Sequence, residues 1–496
     1  MKSHQFGSQL PDPGSGWDIP ALGATESCRV ISLFAPAPDF DVDAFMQSAY
    51  GQERFYWSEP GPLATRLTMA GIGVAAEIRA APVLDPGNES GHLPGHRFAE
   101  IADASRKLFK GSSVQPAELT TEISSITDWR DHPARPRLFG GFSFQDDFVP
   151  DNTWSVFYPA QFVLPHFQWL RIDQEAFLTI NALIPSDEEP SESLDGLREA
   201  LAARLTLASR HQRHSITPHD IHYPMSADMW RDIVRNATQA IAEGHLEKVV
   251  LSRVCEVRTK ELIDAAATLE FLDSHYNDSY RFIFEPVPHH AFFGATPELL
   301  IQKTSDSIST MALAGSAARG QTSEQDEQLA SQLIASRKDR HEHQLVVDTI
   351  HRNLDGLMAE IHIPADPRML KLRNIQHLLT PIEGRLRNPE LGILPLVNLL
   401  HPTPAMGGVP SAAALAFLRR AELVPRGWYA APIGWLDACG DGVFAVAIRS
   451  AVTQHTRAWL YAGAGIVGDS EPEREWVETS LKFRPMLGAL GVEETI

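Results

Sequence analysis

From Lys248 onward the apolar segments of this chain follow one another as short strands, with helices set apart rather than alternated between them. That ordering constrains the fold more than any other feature. Ser226 caps a helix whose apolar residues Trp230, Ile233, Val234, Ala237 and Ile241 recur at helical spacing, and Gly244 ends it. A strand follows at once, Lys248-Val-Val-Leu-Ser-Arg-Val-Cys-Glu-Val257. Further strands are expected near 280–286, 291–294 and 308–314, ahead of a long helix over roughly 323–358. A late strand pair around 443–452 and 457–462 precedes a C-terminal helix from about 470. A doubly wound sheet needs a helix between successive parallel strands, so the pattern indicates an α+β fold instead. Earlier in the chain, Gly71-Ile-Gly-Val-Ala-Ala-Glu-Ile78 and Gly140-Gly-Phe-Ser-Phe144 also read as antiparallel strands.

At 496 residues the chain has room for two or three ordinary domains or one unusually large one. The acidic stretch at 186–193, an Ala/Leu-rich helix and a polar run at 210–222 mark a seam near 186–222. It divides an N-terminal half, 1–215, from a second half, 216–496. His211, His214, His219 and His222 fall in the seam, but nothing rigid there aims their rings at one ion, and the segment reads as a solvated linker. A net charge of −20 argues against nucleic acid held by bulk attraction. An anionic ligand would need a local positive site built against that field. The three cysteines, Cys28, Cys255 and Cys439, form no CxxC spacing, which excludes a disulfide framework or thiolate metal site and fits a cytoplasmic protein. No apolar leader and no run of eighteen apolar residues is visible, so neither export nor a membrane is expected.

Gly463-Ala-Gly-Ile-Val-Gly468 matches GxGxxG literally, with a strand before it and a helix after it. Only 28 residues remain after Gly468, too few for the returning strand of a dinucleotide fold, and no acidic residue lies about 20 positions on. The glycines instead suit a turn where backbone N–H groups approach another anion. The helix behind that turn is expected to open on a capping box of Ser470 and Glu473, and it carries a polar stripe of Glu471, Glu475, Glu478 and Lys482. A second helix offers Asp339, Glu342 and two histidines in Asp339-Arg-His-Glu-His343. Histidines two apart on a helix point about 200° from each other and cannot share one ion. Carboxylates converging from two helices, without cysteine, suit Mg²⁺.

Isolated charges in apolar company complete the set: Lys248 opening its Val/Leu strand, Glu298 after Phe292-Phe-Gly-Ala-Thr-Pro297, and Arg449 inside Val443-Phe-Ala-Val-Ala-Ile-Arg-Ser-Ala-Val452. Any one of them alone suits a buried salt bridge. Together, a lysine, a glutamate, an arginine and a glutamate-held cation make a kit for acid–base chemistry on a small anion.

At these residues the chain resembles the chorismate-utilising enzymes, the family of anthranilate synthase component I and of the aminodeoxychorismate, salicylate and isochorismate synthases. The matching blocks are Lys248-Val-Val-Leu-Ser-Arg253, Phe293-Gly-Ala-Thr-Pro-Glu-Leu-Leu300, Ala312-Leu-Ala-Gly-Ser-Ala-Ala-Arg-Gly320, Asp339-Arg-His-Glu-His343, His401-Pro-Thr-Pro-Ala-Met-Gly-Gly408, Arg426-Gly-Trp-Tyr-Ala-Ala-Pro-Ile-Gly434, Ile448-Arg-Ser450 and Ala462-Gly-Ala-Gly-Ile-Val467 with Glu475 and Glu478. Within the family it is most similar to the isochorismate synthases, where a lysine at the position of Lys248 activates water and a small residue stands at that of Ala405. Phe55-Tyr-Trp57, Gly140-Gly-Phe142, Trp154 and Phe162-Val-Leu-Pro165 resemble the longer, menaquinone-type members.

The resemblance implies a single large α+β unit with extensive antiparallel sheet and outer helices, the first half serving as scaffold. It implies hydroxyl exchange on chorismate, with Lys248 as base toward water and Glu298 as acid toward the departing hydroxyl. Glu342 and Glu478 would ligate Mg²⁺, with Glu475 and Asp339 behind them. Tyr429, Arg449, the backbone of Gly463 and Lys482 would hold the enolpyruvyl carboxylate and its neighbourhood, and Ser316, His377 and Ala405 would line the pocket. Chorismate is then the partner, with no amidotransferase subunit, and the protein a monomer or weak dimer. A salicylate synthase, an ammonia-using relative and a chorismate-binding homologue without turnover are the competing readings, and the choice between menaquinone and siderophore supply stays open.

Overall fold

The computed structural model describes residues 28–61, 66–81, 95–117, 129–186, 191–206 and 216–492. His211 and His214 of the seam lie outside these, while His219 and His222 are exposed on the Pro218–His222 strand. The described strands, twenty-one in all, join in one sheet that branches. The branch point is the Ala160–Ile172 strand, paired along one edge with Thr68–Ala80. Along its other edge residues 160–163 pair with Arg137–Phe142 and residues 167–172 with Glu175–Pro185.

Two arms leave this point. The first runs from Thr68–Ala80 through Arg54–Ser58, Tyr280–Val287, His290–Thr296, Ser450–Gln454 and Arg457–Ile466 to Lys248–Thr259. The second runs from Arg137–Phe142 through Pro432–Asp437, Gly442–Val446, Leu299–Thr304 and Ser307–Ala318 to Ile375–Leu386. Every pairing in both arms is antiparallel, as the serial strands predict; a parallel pair is found between Cys28–Pro36 and Ser113–Pro116.

The arms face each other across an aromatic core containing Trp57, Phe139, Phe284, Phe292 and Trp428, all buried. Strand periodicity sends alternate residues to the two faces: Phe282 and Phe284 point into this core and Ile283 into the one behind it. Behind the first arm, Leu269, Leu272, Phe483 and Met486 bring up helices Leu269–His275 and Pro472–Ala489. Behind the second, Phe98, Ile101, Val346, Ile350, Leu394 and Val397 bring up helices His96–Phe109, Arg337–Leu354 and Ile393–Leu400. The result is an α+β fold with outer helices on a large antiparallel sheet. Among the described residues no helix is long and apolar enough to cross a membrane.

Several elements differ from expectation. The long helix is two, Ser323–Ala335 and Arg337–Leu354, because Ser336 turns extended and its Oγ accepts from Asp339 N at 3.3 Å, starting a new helix in a new direction. The 443–452 strand is also two, Gly442–Val446 and Ser450–Gln454. Leu299–Thr304 and the strands Met358–His362, Arg368–Lys371 and Ile375–Leu386 are additional. The capping box does not form: helix Pro472–Ala489 starts after Glu471, and Ser470 Oγ accepts from Val467 N at 3.1 Å. Gly463 and Gly465 stand inside the Arg457–Ile466 strand, not in a turn after it.

Candidate active site

The chain steps from one sheet arm to the other at two adjacent places. Residues 297–298 connect His290–Thr296 of the first arm to Leu299–Thr304 of the second, and residues 447–449 connect Gly442–Val446 back to Ser450–Gln454. The steps are tied together: Val446 N donates to Glu298 O at 2.9 Å, Ala295 N to Arg449 O at 3.1 Å, and Thr296 Oγ1 to Val446 O at 2.6 Å. Glu298 and Arg449, two of the three isolated charges of the sequence, therefore sit where backbone hydrogen bonds from both arms fix them.

One cavity opens at this point, spanning roughly 780 Å³ with part of that space open to solvent. Every predicted site residue lines it: Lys248, Glu298, Ser316, Asp339, Glu342, His377, Ala405, Tyr429, Arg449, Gly463, Glu475, Glu478 and Lys482. Lys248 begins its strand at 1% exposure, with Nζ 2.8 Å from Glu342 Oε1. Glu298 is 3% exposed. Burial pushes its carboxyl up to about 8 against the opposing pull of Lys248, Lys482 and Arg449, so at neutral pH it holds its proton. A buried acid that keeps a transferable proton at neutrality suits general acid catalysis.

Arg449 takes a left-handed backbone, φ 51°, which is uncommon for a bulky residue and stores on the order of 1–3 kcal/mol where the surroundings impose it. Its Nη2 lies 3.4 Å from His377 Nε2, and His377 Nδ1 lies 3.1 Å from Ser316 Oγ. Burial, then Arg449 and Lys482, hold His377 well below the usual imidazole range, so the ring is neutral. With Nε2 facing the guanidinium as acceptor, the ring proton belongs on Nδ1, on the side of Ser316 Oγ and the Gly315 backbone. Tyr429 stacks on Tyr461 with ring centroids 5.0 Å apart.

The glycine signature now has a physical account. A Cβ on Gly465 would stand 2.7 Å from Glu342 Oε1 and 3.1 Å from Lys248 Cε, and one on Gly463 would stand 3.1 Å from the Tyr429 hydroxyl. These glycines admit the lysine, the carboxylate and the phenol against the strand, and Lys482 Nζ donates to Gly463 O at 2.8 Å. On Gly468 a Cβ would make only ordinary contact, 3.6 Å from Ile241.

The other wall is helical. Glu475 is buried, its carboxyl raised to about 7 by burial and next by Glu478, with Lys338 pulling the other way. Burial likewise raises Asp339, opposed by its hydrogen bond with Ser336. Burial would raise Glu342 too, yet Lys248 and then Lys482 and Lys338 hold it below the usual carboxylate range. Lys482 pairs with Glu478 at 2.6 Å and Lys338 with Glu475 at 3.6 Å. Among the described residues no three metal-ligating side chains close on a single point. Mg²⁺ needs only one or two protein carboxylates beside waters and ligand oxygens, so the donor set fits it. Two of the clustered carboxyls are raised, chiefly by burial and further by the neighbouring Glu342 and Glu478. Histidine ligands do not fit: His341 is exposed, and His343 is buried against Ala314 O at 3.3 Å and Thr380 Oγ1 at 2.7 Å.

Lys338 and Gly465 are site residues that sequence reasoning missed. Lys338 stands in the charged run Arg337-Lys-Asp-Arg340, which looks like any solvated helix start; its one signal is the four-residue spacing to Glu342.

The family model of chorismate binding enzymes matches residues 19–491. The chain is 33% identical over 465 residues to the isochorismate synthase MenF of Bacillus subtilis, covering 94% of this chain and 93% of that protein. It is 38% identical over 361 residues to the salicylate biosynthesis isochorismate synthase of Pseudomonas aeruginosa, covering 72% and 75% respectively. Among solved structures it is similar to MenF, the menaquinone-specific isochorismate synthase from Escherichia coli, with a TM-score of 0.73 and 25% identity over 94% of this chain and 95% of that one.

Proposed function

Since the chain belongs to the chorismate binding enzyme family, we propose that it is an isochorismate synthase, an isomerase that exchanges the C4 hydroxyl of chorismate for one at C2. The observation that carries this reading is the pairing in one cavity of the buried Lys248 with Glu298, whose carboxyl is raised to about 8. Lys248, once it has given up the proton it carries in its pair with Glu342, takes a proton from water as the water oxygen bonds to C2. The ring double bonds shift, the C4–O bond breaks, and Glu298 gives its proton to the departing hydroxyl, which leaves as water. One water enters and one leaves, so the reaction is an isomerisation. The lysine ends protonated and the glutamate ionised, and one proton passed back between them resets the site.

Arg449, Tyr429 and Lys482 hold the enolpyruvyl carboxylate, with Ser316 and His377 fixing the arginine's direction. Glu342 and Glu478 would hold Mg²⁺, with Glu475 and Asp339 beside them, and the ion would supply positive charge toward the ring carboxylate. A water nucleophile needs no amidotransferase subunit, and we place the enzyme in the cytoplasm as a monomer or weak dimer. The sequence match to MenF extends over 94% of this chain, N-terminal half included, where the matches to EntC and DhbC cover 53%, and this favours menaquinone over siderophore supply.

The test is product identification from chorismate with and without Mg²⁺. Isochorismate formed only with Mg²⁺ is the expected result. Salicylate without a partner lyase would make the protein a salicylate synthase, an amine product in ammonium would make it an ammonia-using relative, and unconsumed chorismate would leave a binding protein.

A further inference from the structure

Asp339, Glu342, Glu475 and Glu478 face the cavity together with four cations, Lys248, Lys338, Arg449 and Lys482. With Glu298 protonated, the lining is close to neutral before any divalent ion arrives. The carboxylates have close partners: Glu342 has Lys248 at 2.8 Å, Glu478 has Lys482 at 2.6 Å, Asp339 has the Ser336 hydroxyl and Glu475 has the Ser470 hydroxyl. Lys248 and Lys482 are themselves held, the first by burial and the second by Gly463 O at 2.8 Å.

Lys338 is different. Its ammonium lies 3.6 Å from Glu475 Oε1, outside hydrogen-bond range, and its side chain is 32% exposed where that of Glu475 is 5%. It reaches a buried carboxylate from the cavity mouth, within the electrostatic field of Asp469, Glu342 and Asp339 as well. It also occupies the second position of helix Arg337–Leu354, where the helix dipole disfavours a cation. Helix stability does not explain a lysine there; the carboxylates in front of it do.

We propose that Lys338 is an internal competitor for the divalent cation, a tethered charge that holds Glu475 when the metal is away and withdraws toward solvent when the metal binds. Its presence weakens metal affinity and keeps the empty cavity charge-balanced, so that the positive field a doubly anionic substrate requires is created only with the metal. The inference rests on reading the carboxylate cluster as a Mg²⁺ site.

The experiment measures Mn²⁺ binding to the full-length protein without chorismate, by the electron paramagnetic resonance signal of free Mn²⁺, with Mg²⁺ as competitor. Wild type, Lys338→Gln and Lys338→Arg are compared. Removing one unit charge a few ångströms from the ion predicts binding about three- to tenfold tighter in the glutamine variant, with Mg²⁺ displacing Mn²⁺ at correspondingly lower concentration. The arginine variant stays near wild type, and chorismate KM at saturating Mg²⁺ moves less than about twofold in either. Wild-type binding with unchanged or weaker affinity in Lys338→Gln overturns the competitor role alone. A raised chorismate KM with unchanged Mn²⁺ affinity overturns it in favour of a substrate contact. No Mn²⁺ binding by wild type removes the metal-site reading itself, and this inference with it.

Discussion

The two walls of the cavity are built on opposite principles. On the sheet wall, Lys248, Glu298 and Arg449 are single charges on backbone fixed by hydrogen bonds between strands, and the two arms' crossing points hold Glu298 and Arg449 in register. On the helix wall, Lys338, Asp339, Glu342, Glu475, Glu478 and Lys482 are crowded charges on two helices, all but Asp339 paired with an opposite charge. Proton transfer to a specific atom tolerates little misplacement, so those groups belong on the more rigid element. A cation that keeps part of its water shell tolerates shifting ligands, and there the sum of charge matters more than any one position. Substitutions on the sheet wall should therefore change chemistry, and those on the helix wall metal requirement.

Glu298→Gln should break the sheet wall most severely. Without a transferable proton, kcat falls by about 10²- to 10⁴-fold, while chorismate binding, measured directly, changes little. Stability moves the other way. The folded carboxyl is raised from 4.5 to about 8, so between those values the folded protein keeps a proton that the unfolded chain releases, and stability declines as pH rises through that window. Glutamine carries no such penalty. The variant should match wild type near pH 4 and melt increasingly above it toward pH 8, by at most a few kcal/mol. Wild-type turnover should in turn fall as pH rises through about 8, as the acid loses its proton. A variant that is inactive but gains no stability at pH 8 would mean that the proton sits on another group.

Legibility in the sequence follows the same division. Lys248, Glu298 and Arg449 were visible because charges in apolar runs are rare, and the serial strands showed the antiparallel sheet. The crossing point at 447–449 was not visible: Ala447-Ile-Arg449 contains no glycine or proline, so a left-handed arginine leaves no local signal and 443–452 reads as one strand. The helix break at Ser336 had a signal, Ser336 three residues before Asp339, masked by the strong helix formers on either side. The glutamate stripe and its own Lys482 were readable as spacing, but what faces them from other elements was not, because Lys338 and Gly465 acquire meaning only when two helices and a strand meet. The family blocks supplied the roles that patterning could not.

Gly465→Ala tests the point where the walls touch. The added methyl would meet Glu342 Oε1 at 2.7 Å and Lys248 Cε at 3.1 Å, both on side chains that can shift, so the fold should survive. The displaced lysine should lower kcat by about tenfold to a hundredfold and the displaced carboxylate should raise the Mg²⁺ requirement together with it. Gly468→Ala, which meets only Ile241 at 3.6 Å, should be silent in both measurements. Equal effects at the two glycines would show that the whole motif, rather than this one contact, matters.

The smallest effect is expected at Arg426, and it is the most discriminating. The Lys248–Thr259 strand pairs on one edge with Gly408–Val409 at residues 248–249 and with Pro218–His222 at residues 256–259, leaving the stretch between them without a strand partner. Gly407 O accepts there from Val250 N at 3.0 Å, and Glu422 Oε1 accepts from Ser252 N at 2.9 Å. Arg426, paired with that glutamate at 2.6 Å, donates to Val250 O and, at 2.9 Å, to Met406 O, tying the strand of the base to the segment that carries Ala405. Lysine keeps the charge but cannot span two carbonyls and a carboxylate from a planar fork. Arg426→Lys should lower kcat by about threefold to tenfold and melting by a few degrees, consistent with losing about 1–3 kcal/mol of buried hydrogen bonding. The Mg²⁺ concentration for half-maximal rate should not move, because nothing on the helices has been disturbed. If it does move in step with kcat, the strand edge also positions the carboxylates, and the two walls act as one device rather than two.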